Sequence, residues 1–164
     1  MSDELSEHAT DPVRQRCPAV GVSGLLSDVS DRLLLVRTAE HSWELPGAPL
    51  TVDESPLAGC RRAIRDALGF ETSPIRLLVR DASQEAAGSV VELVYDCGIV
   101  NPDQLQAIRR SADGLVAQWR LFEVTEIAHY LPPLRHASRI RAAIHAYDTN
   151  DFVNFDDAAR VEQP

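Results

Sequence analysis

The segment from Ser55 to Gly69 constrains this chain more than any other. Ser55 is placed to cap a helix, and Pro56 suits the first helical position, where its missing N–H costs nothing. Gly69 is placed to end the helix. Between them, Leu57, Cys60, Ile64 and Leu68 fall on one stripe, so the helix has an apolar side that must be covered. Candidate strands stand on both sides of it. Ala19–Leu26 mixes β-formers with glycine, Asp28 to Asp31 supplies turn chemistry, and Arg32–Arg37 reads as the returning strand. Trp43 to Gly47 is an extended stretch ending in a turn. Beyond the helix come strand candidates at Ile75–Asp81, Ser89–Val100 and Gln118–Val124. Asn101-Pro102-Asp103 opens a loop or short helical stretch, and Thr125 is a candidate cap for a short helix through Tyr130. Pro132 and Pro133 open a last helix with Leu134, Ile140, Ala143 and Ile144 on its apolar side. Strands, a helix between strands and a terminal helix predict an α+β sandwich with a mixed sheet.

Charge is unevenly placed along the 164 residues. All 16 basic side chains are arginine, against 25 acids. Residues 1–11 hold four acids and no arginine, and residues 148–164 hold five acids and only Arg160. The expected layout is a flexible acidic tail over 1–16, a single domain over 17–147 and a second acidic tail over 148–164. No stretch has the basic excess that tracks a duplex, so duplex nucleic acid is not an expected partner. No apolar run approaches the roughly 18 residues of a membrane span, so no membrane partner is expected either. The amino terminus lacks the layout of a secretory signal. Cys17, Cys60 and Cys97 form neither a disulfide framework nor a zinc-knuckle spacing, which makes a cytoplasmic location the default.

The stretch from Trp43 to Phe70 resembles the signature of the Nudix hydrolase superfamily. That signature runs Gly, five residues, Glu, seven residues, then Arg-Glu-aliphatic-x-Glu-Glu-x-Gly-aliphatic, after a Trp-x-Leu-Pro-Gly-Gly lead-in. Here the lead-in reads Trp43-Glu44-Leu45-Pro46-Gly47-Ala48. With Ala48 as the first position, Glu54, Arg62, Ile64, Gly69 and Phe70 all fall in register. The resemblance implies a Nudix-type α/β/α sandwich from about Ala19 to Tyr147. It also implies Mg²⁺ or Mn²⁺ as cofactor, a small-molecule diphosphate or nucleotide as ligand, and a homodimer as one assembly that members often form.

The departures fall on the metal site. In the family, three carboxylates on one helix face hold magnesium against a diphosphate, and their spacing places them on adjacent turns. At those positions this chain has Ala63, Asp66 and Ala67. A lone carboxylate holds Mg²⁺ weakly, because the ion keeps a near-octahedral oxygen shell. Any bound Mg²⁺ or Mn²⁺ is therefore expected to be weak, and the cofactor can be absent altogether. By resemblance, Glu54, Arg62 and Asp66 are the candidate catalytic residues, and Asp66 with Asp113 the candidate metal ligands. Arg62 is expected to pair with Glu54 and pin the preceding loop to the helix. Asp113 also reads as a turn residue in Ala112-Asp113-Gly114.

Four further residues are candidate ligand contacts. Trp43 can stack on a base, with core packing as the competing role. Arg37 and Arg65 can grip phosphate oxygens or stay solvated. Glu92, in the middle of an apolar strand, faces either solvent or the cleft. His41 is a loop histidine that can serve as a base or stay solvated. Three functions follow from these residues. One is a divergent Nudix protein that binds a nucleotide or nucleoside-diphosphate-linked ligand with weak or absent hydrolysis. Another is an active pyrophosphohydrolase using a reduced metal site. The third is a Nudix fold reused for other small-molecule chemistry or protein binding.

Overall fold

A computed structural model describes residues 17–37, 42–110, 118–130 and 135–156 of the chain. The elements, in chain order, are β1 (Ala19–Ser27), β2 (Leu33–Arg37), β3 (Trp43–Glu44), β4 (Gly47–Pro49), α1 (Pro56–Leu68), β5 (Arg76–Glu85), β6 (Gly88–Ile99), α2 (Pro102–Arg110), β7 (Gln118–Phe122), α3 (Val124–Tyr130), α4 (Arg135–Thr149) and β8 (Val153–Asp156). Among the described residues the strands form one mixed sheet in the order β3-β2-β1-β6-β5-β8, with β4 added to β1 and β7 added to β2. Helices cover both faces, which is the α/β/α sandwich that the resemblance implies.

Two apolar clusters, one on each face, explain the strand sequences. On one side α1 buries Cys60, Ile64 and Leu68 against Val22, Leu26, Leu34 and Val36. On the other, α4 lays Ala137, Ile140, Ala143 and Ala146 against Leu25, Leu33, Leu35, Val79 and Val94. Strand β2 is apolar at every position from Leu33 to Val36 because it is covered on both faces. The α1 stripe is buried from Cys60 onward, whereas Leu57 in its first turn is 48% exposed.

One break in the sheet positions everything else. Strand β1 pairs with β2 at Ser27↔Leu33, next to the turn that Asp28 closes. From there the two strands part. The first half of β1 pairs with β4 (Gly21↔Pro49 to Ser23↔Gly47), while β2 takes β3 and β7 as partners. On its other edge β1 runs parallel to β6 from Ala19↔Val90 onward. The gap between β1 and β2 is the mouth of a cleft.

The sequence reading needs correction in two places. The expected acidic tail over 148–164 does not begin at 148: α4 runs to Thr149, and Val153–Asp156 forms β8, parallel to β5. Val153 and Phe155 pack against the core, an alternation hidden among the surrounding acids. Arg76 fixes this return by donating to the carbonyls of Ala146, Tyr147 and Asp151. Strand β5 runs four residues past Asp81, its expected end, and β6 starts at Gly88, so the two strands pair as a hairpin down to Glu85↔Gly88. At Asn101 the short helical stretch is the reading that holds: Asn101 opens α2 through a reciprocal cap in which its Oδ1 accepts from the Gln104 N–H and Gln104 Oε1 accepts from its own.

The hairpin register places Asp81 opposite Glu92, under α4. Asp81 is buried and accepts from Arg135 (Nε 3.1 Å, Nη2 3.0 Å) and from Arg139 (Nε 3.2 Å, Nη2 3.0 Å). Burial pushes its carboxyl up, but the two guanidinium groups outweigh that and hold it below the usual carboxylate range. The Asp81→Asn variant leaves two arginines facing a neutral amide under α4. It should cost about 3 kcal/mol, the scale for breaking a buried ion pair. In a thermal melt that is a Tm loss of roughly 10 °C, and a Tm equal to wild type would show that Asp81 does not hold α4.

Candidate functional site

Helix α1 is set by its ends. Ser55 is extended (φ −72°, ψ 150°), and its hydroxyl accepts from the Ala58 N–H at 3.3 Å. Gly69 adopts φ 81°, a left-handed conformation that suits glycine, and its N–H reaches the Arg65 carbonyl at 2.8 Å. The helix is then fixed to the cleft wall by one arginine. Arg62 donates from Nε to Glu54 Oε1 (2.8 Å) and from Nη2 to Glu54 Oε2 (2.9 Å), and Nη2 also reaches the Pro49 carbonyl on β4 (2.8 Å). Glu54 Oε2 additionally accepts from the Thr51 N–H and hydroxyl. The Glu54–Arg62 pairing implied by the resemblance is therefore present. The Arg62 hydrogen bonds, with the Thr51 N–H next, pull the Glu54 carboxyl down to about 2.

The cleft encloses about 320 Å³ and passes through the split in the sheet. At its α1 end are Arg62, Ala63, Asp66 and Ala67; at its α4 end are Glu92, His136, Arg139 and Ile140, with Gly21, Val22 and Val36 on the strands between. Asp66 is 44% exposed and lies 3.8 Å from Arg62 Nη1 and 3.5 Å from Arg65 Nε, so arginines already share its charge. Glu92 is half-buried and leans over Gly21, where a Cβ would collide with its carboxylate. Burial raises the Glu92 pKa above its usual range. Arg139 and His136 offset part of this, and Asp81 and Glu85 add to it.

The expected site residues separate into two groups. Arg62, Asp66 and Glu92 line the cleft, and Glu54 stands behind Arg62 as its anchor. Trp43, Arg37 and Arg65 do not line it. Trp43 packs edge-on against Phe122, with ring centroids 5.0 Å apart, as part of the core. Arg37 lies over the Trp43 ring at 5.9 Å and donates to Gln118, and Arg65 faces outward to Glu71. Asp113 and His41 lie outside the described residues. Gly21, His136, Arg139 and Asp81 were not read from the sequence. The i, i+4 spacing of Arg135 and Arg139 was the signal available, but their target carboxylate appears only once the hairpin register is known.

The donor set can be tested against the magnesium that the resemblance implies. Among the described residues no group of three or more His, Cys, Asp or Glu side chains is arranged to hold a metal ion. The α1 face offers one carboxylate between two alanines, and that carboxylate is ion-paired to arginine. These residues do not fit Mg²⁺, which needs several oxygen ligands around a near-octahedral shell.

Comparison with known proteins supports the fold. No family model matches the chain. A MutT-like protein from Streptomyces ambofaciens is 32% identical over 83 residues, 48% of this chain and 51% of that protein. The chain thus matches about half the length of this curated relative. The solved MutT protein from Methanosarcina mazei Go1 superposes with a TM-score of 0.62 at 20% identity, over 82% of this chain and 96% of that one. The NUDIX domain of Shewanella oneidensis NrtR, solved in complex with ADP ribose, superposes with a TM-score of 0.63 at 19% identity, over 85% and 94%.

The depressed Glu54 carboxyl predicts a pH signature. A folded-state value of about 2, against an ordinary 4.5, contributes stability that is complete above pH 4.5 and is lost as pH falls through about 2. The urea midpoint of wild type should therefore fall more steeply between pH 4.5 and 2 than that of Glu54→Gln. Parallel profiles would mean that the clamp contributes nothing to folding.

Proposed function

We propose that this chain, which has the fold of the Nudix superfamily and resembles that superfamily from Trp43 to Phe70, binds a nucleotide or nucleoside-diphosphate-linked ligand in the split of its sheet, with weak or absent metal-dependent hydrolysis. One observation carries the second half of this reading. The cleft-facing side of α1 holds Ala63, Asp66 and Ala67, and Asp66 is shared between Arg62 and Arg65. Phosphoryl-group chemistry depends on positioning and on neutralising charge at the transferred group, and a face of this kind supplies little of either. The first half is supported by the fold and by the NrtR domain, a neighbour solved with ADP ribose. Arg62 keeps its anchoring role here, because its guanidinium is engaged by Glu54 and Pro49.

Calorimetry with ADP-ribose, ADP, GDP and UDP, in EDTA and then in Mg²⁺ or Mn²⁺, tests the proposal. Binding should survive EDTA, and product release with metal should be slower than that of an active Nudix enzyme by orders of magnitude. Turnover that disappears in Asp66→Ala would support the active pyrophosphohydrolase instead. Absence of binding to all four compounds would favour a fold reused for other chemistry. The double variant Ala63→Glu/Ala67→Glu should tighten Mn²⁺ binding by more than roughly tenfold, since even outer-shell changes shift metal affinity that far. Unchanged Mn²⁺ affinity would show that positions 63 and 67 do not face a metal site.

A further inference from the structure

We propose that Cys60 and Cys97 are a reversible redox pair, which hydrogen peroxide joins in a disulfide that staples α1, and with it the α1 end of the cleft, to the interior strand β6. The proposal does not depend on which ligand the cleft takes.

The two thiols meet although 37 positions separate them in the chain. Cys60 is on the buried stripe of α1 and Cys97 is near the end of β6; both are buried, and their sulfur atoms are 3.7 Å apart. They stand over Ser23 and Gly24 of β1. Cys60 Sγ donates to the Ser23 carbonyl at 3.8 Å, and a Cβ at Gly24 would come within 2.7 Å of Cys97 Sγ. The close pairing therefore depends on glycine at that position. The Cys97 backbone is also held, because its carbonyl accepts from the Thr72 hydroxyl at 3.0 Å.

A single buried cysteine reads as a small core residue. Two in contact have a covalent outcome that one lacks. A disulfide sets its sulfurs about 2.05 Å apart, so these have to close by about 1.7 Å. A change of χ1 at either cysteine moves a sulfur further than that.

The pair is also asymmetric. With its own proton on the Ser23 carbonyl, Cys60 serves as acceptor for the Cys97 S–H. That bond holds the Cys60 thiol below its ordinary value, although burial pushes the other way. The same bond and then burial push the Cys97 thiol up. Cys60 is thus the first of the two to become a thiolate, the form that reacts. Its sulfur attacks one oxygen of hydrogen peroxide, the O–O bond breaks, and the departing hydroxide takes a proton to leave as water. Cys60 is then a sulfenic acid. The Cys97 sulfur attacks the Cys60 sulfur and displaces hydroxide, which takes the Cys97 proton and leaves as a second water. Two thiols and one peroxide become one disulfide and two waters, with two electrons passing from sulfur to oxygen. A small oxidant suits the position, since Cys60 stands directly behind Ser23, a residue of the cleft wall. A thiol reductant reverses the bond by exchange.

The consequence falls on α1, whose other side presents Arg62, Ala63, Asp66 and Ala67 to the cleft. Tied to β6, the helix is held to the sheet covalently as well as by packing. The cross-link also restricts the unfolded chain, so the oxidised form should be the more stable one.

The test uses the full chain carrying Cys17→Ser, which removes the exposed thiol outside the pair. The native protein is treated with hydrogen peroxide, catalase is added, and free thiols are alkylated during denaturation. Tryptic cleavage without reductant then separates Cys60 from Cys97, because arginines lie between them. The expected product is one linked pair of peptides, lighter by two hydrogens than their sum and parted by dithiothreitol. The Tm of the oxidised protein should stand roughly 10 °C above that of the same sample after reduction. Two alkylated thiols, or a sulfinic acid at Cys60 beside an alkylated Cys97, would overturn the pair. So would a bond that forms only when peroxide is added in urea. A linked pair with an unchanged or lowered Tm would overturn the staple.

Discussion

The Arg62 guanidinium is the contact on which the cleft depends. It is a residue of α1, but its hydrogen bonds go to the loop that precedes the helix, through Glu54, and to β4, through the Pro49 carbonyl. Strand β4 in turn holds the first half of β1, and that pairing keeps β1 apart from β2. One side chain therefore connects the helix, the loop and the strand that props the sheet open. The geometry requires arginine: a planar fork can bridge two carboxylate oxygens and a carbonyl together, which an ammonium cannot do with the same fixity. That this chain has no lysine anywhere makes such forks its sole long-chain cationic tool.

The same device recurs on the other face, and the two together set the electrostatics of the cleft. Glu54 is matched by Arg62, and Asp81 by Arg135 and Arg139; in both cases the carboxyl is held below its usual range. Asp66 is shared by Arg62 and Arg65. The acids near the cleft are thus largely neutralised by neighbours in the chain itself. A divalent ion is drawn by carboxylates that lack other partners and converge on one point, and this arrangement removes both conditions. Glu92 differs from these: burial raises its pKa, and among the described residues no guanidinium is hydrogen-bonded to it.

How much of this was legible in the sequence follows from the range over which each feature is encoded. Helix α1 was readable because Ser55, Pro56 and Gly69 are local signals and the stripe from Cys60 to Leu68 has a helical period. The buried β2 was readable as an apolar run. The pairing of Glu54 with Arg62 spans eight residues and was accessible through the resemblance. The split in the sheet was not readable, because it depends on β1 choosing β4 over β2 along half its length, a competition among distant segments. Asp81 escaped for a similar reason: its charge looks like a loop signal until the hairpin register sets it opposite Glu92 and beneath α4. Strand β8 was obscured by composition, two apolar residues among acids reading as tail. Trp43 was drawn toward the ligand by its chemistry, but its ring packs edge-on against Phe122 in the core.

The two ends of the cleft differ in what they present to a ligand. Solved neighbours at 19–20% identity share the fold with this chain and do not by themselves carry an activity to it. What distinguishes the chain lies in a few side chains on fixed supports. At the α1 end, alanines at 63 and 67 remove charge and bulk where the signature places acids. At the α4 end, Gly21 makes room for a carboxylate, and Asp81 spends its own bonds holding Arg139 in place. On the proposed reading, a site with few ligands for a metal and a rigid, mixed set of donors and acceptors recognises a molecule rather than breaking it. Rigidity favours this role, because side chains ordered before the ligand arrives add no further entropic cost when it binds.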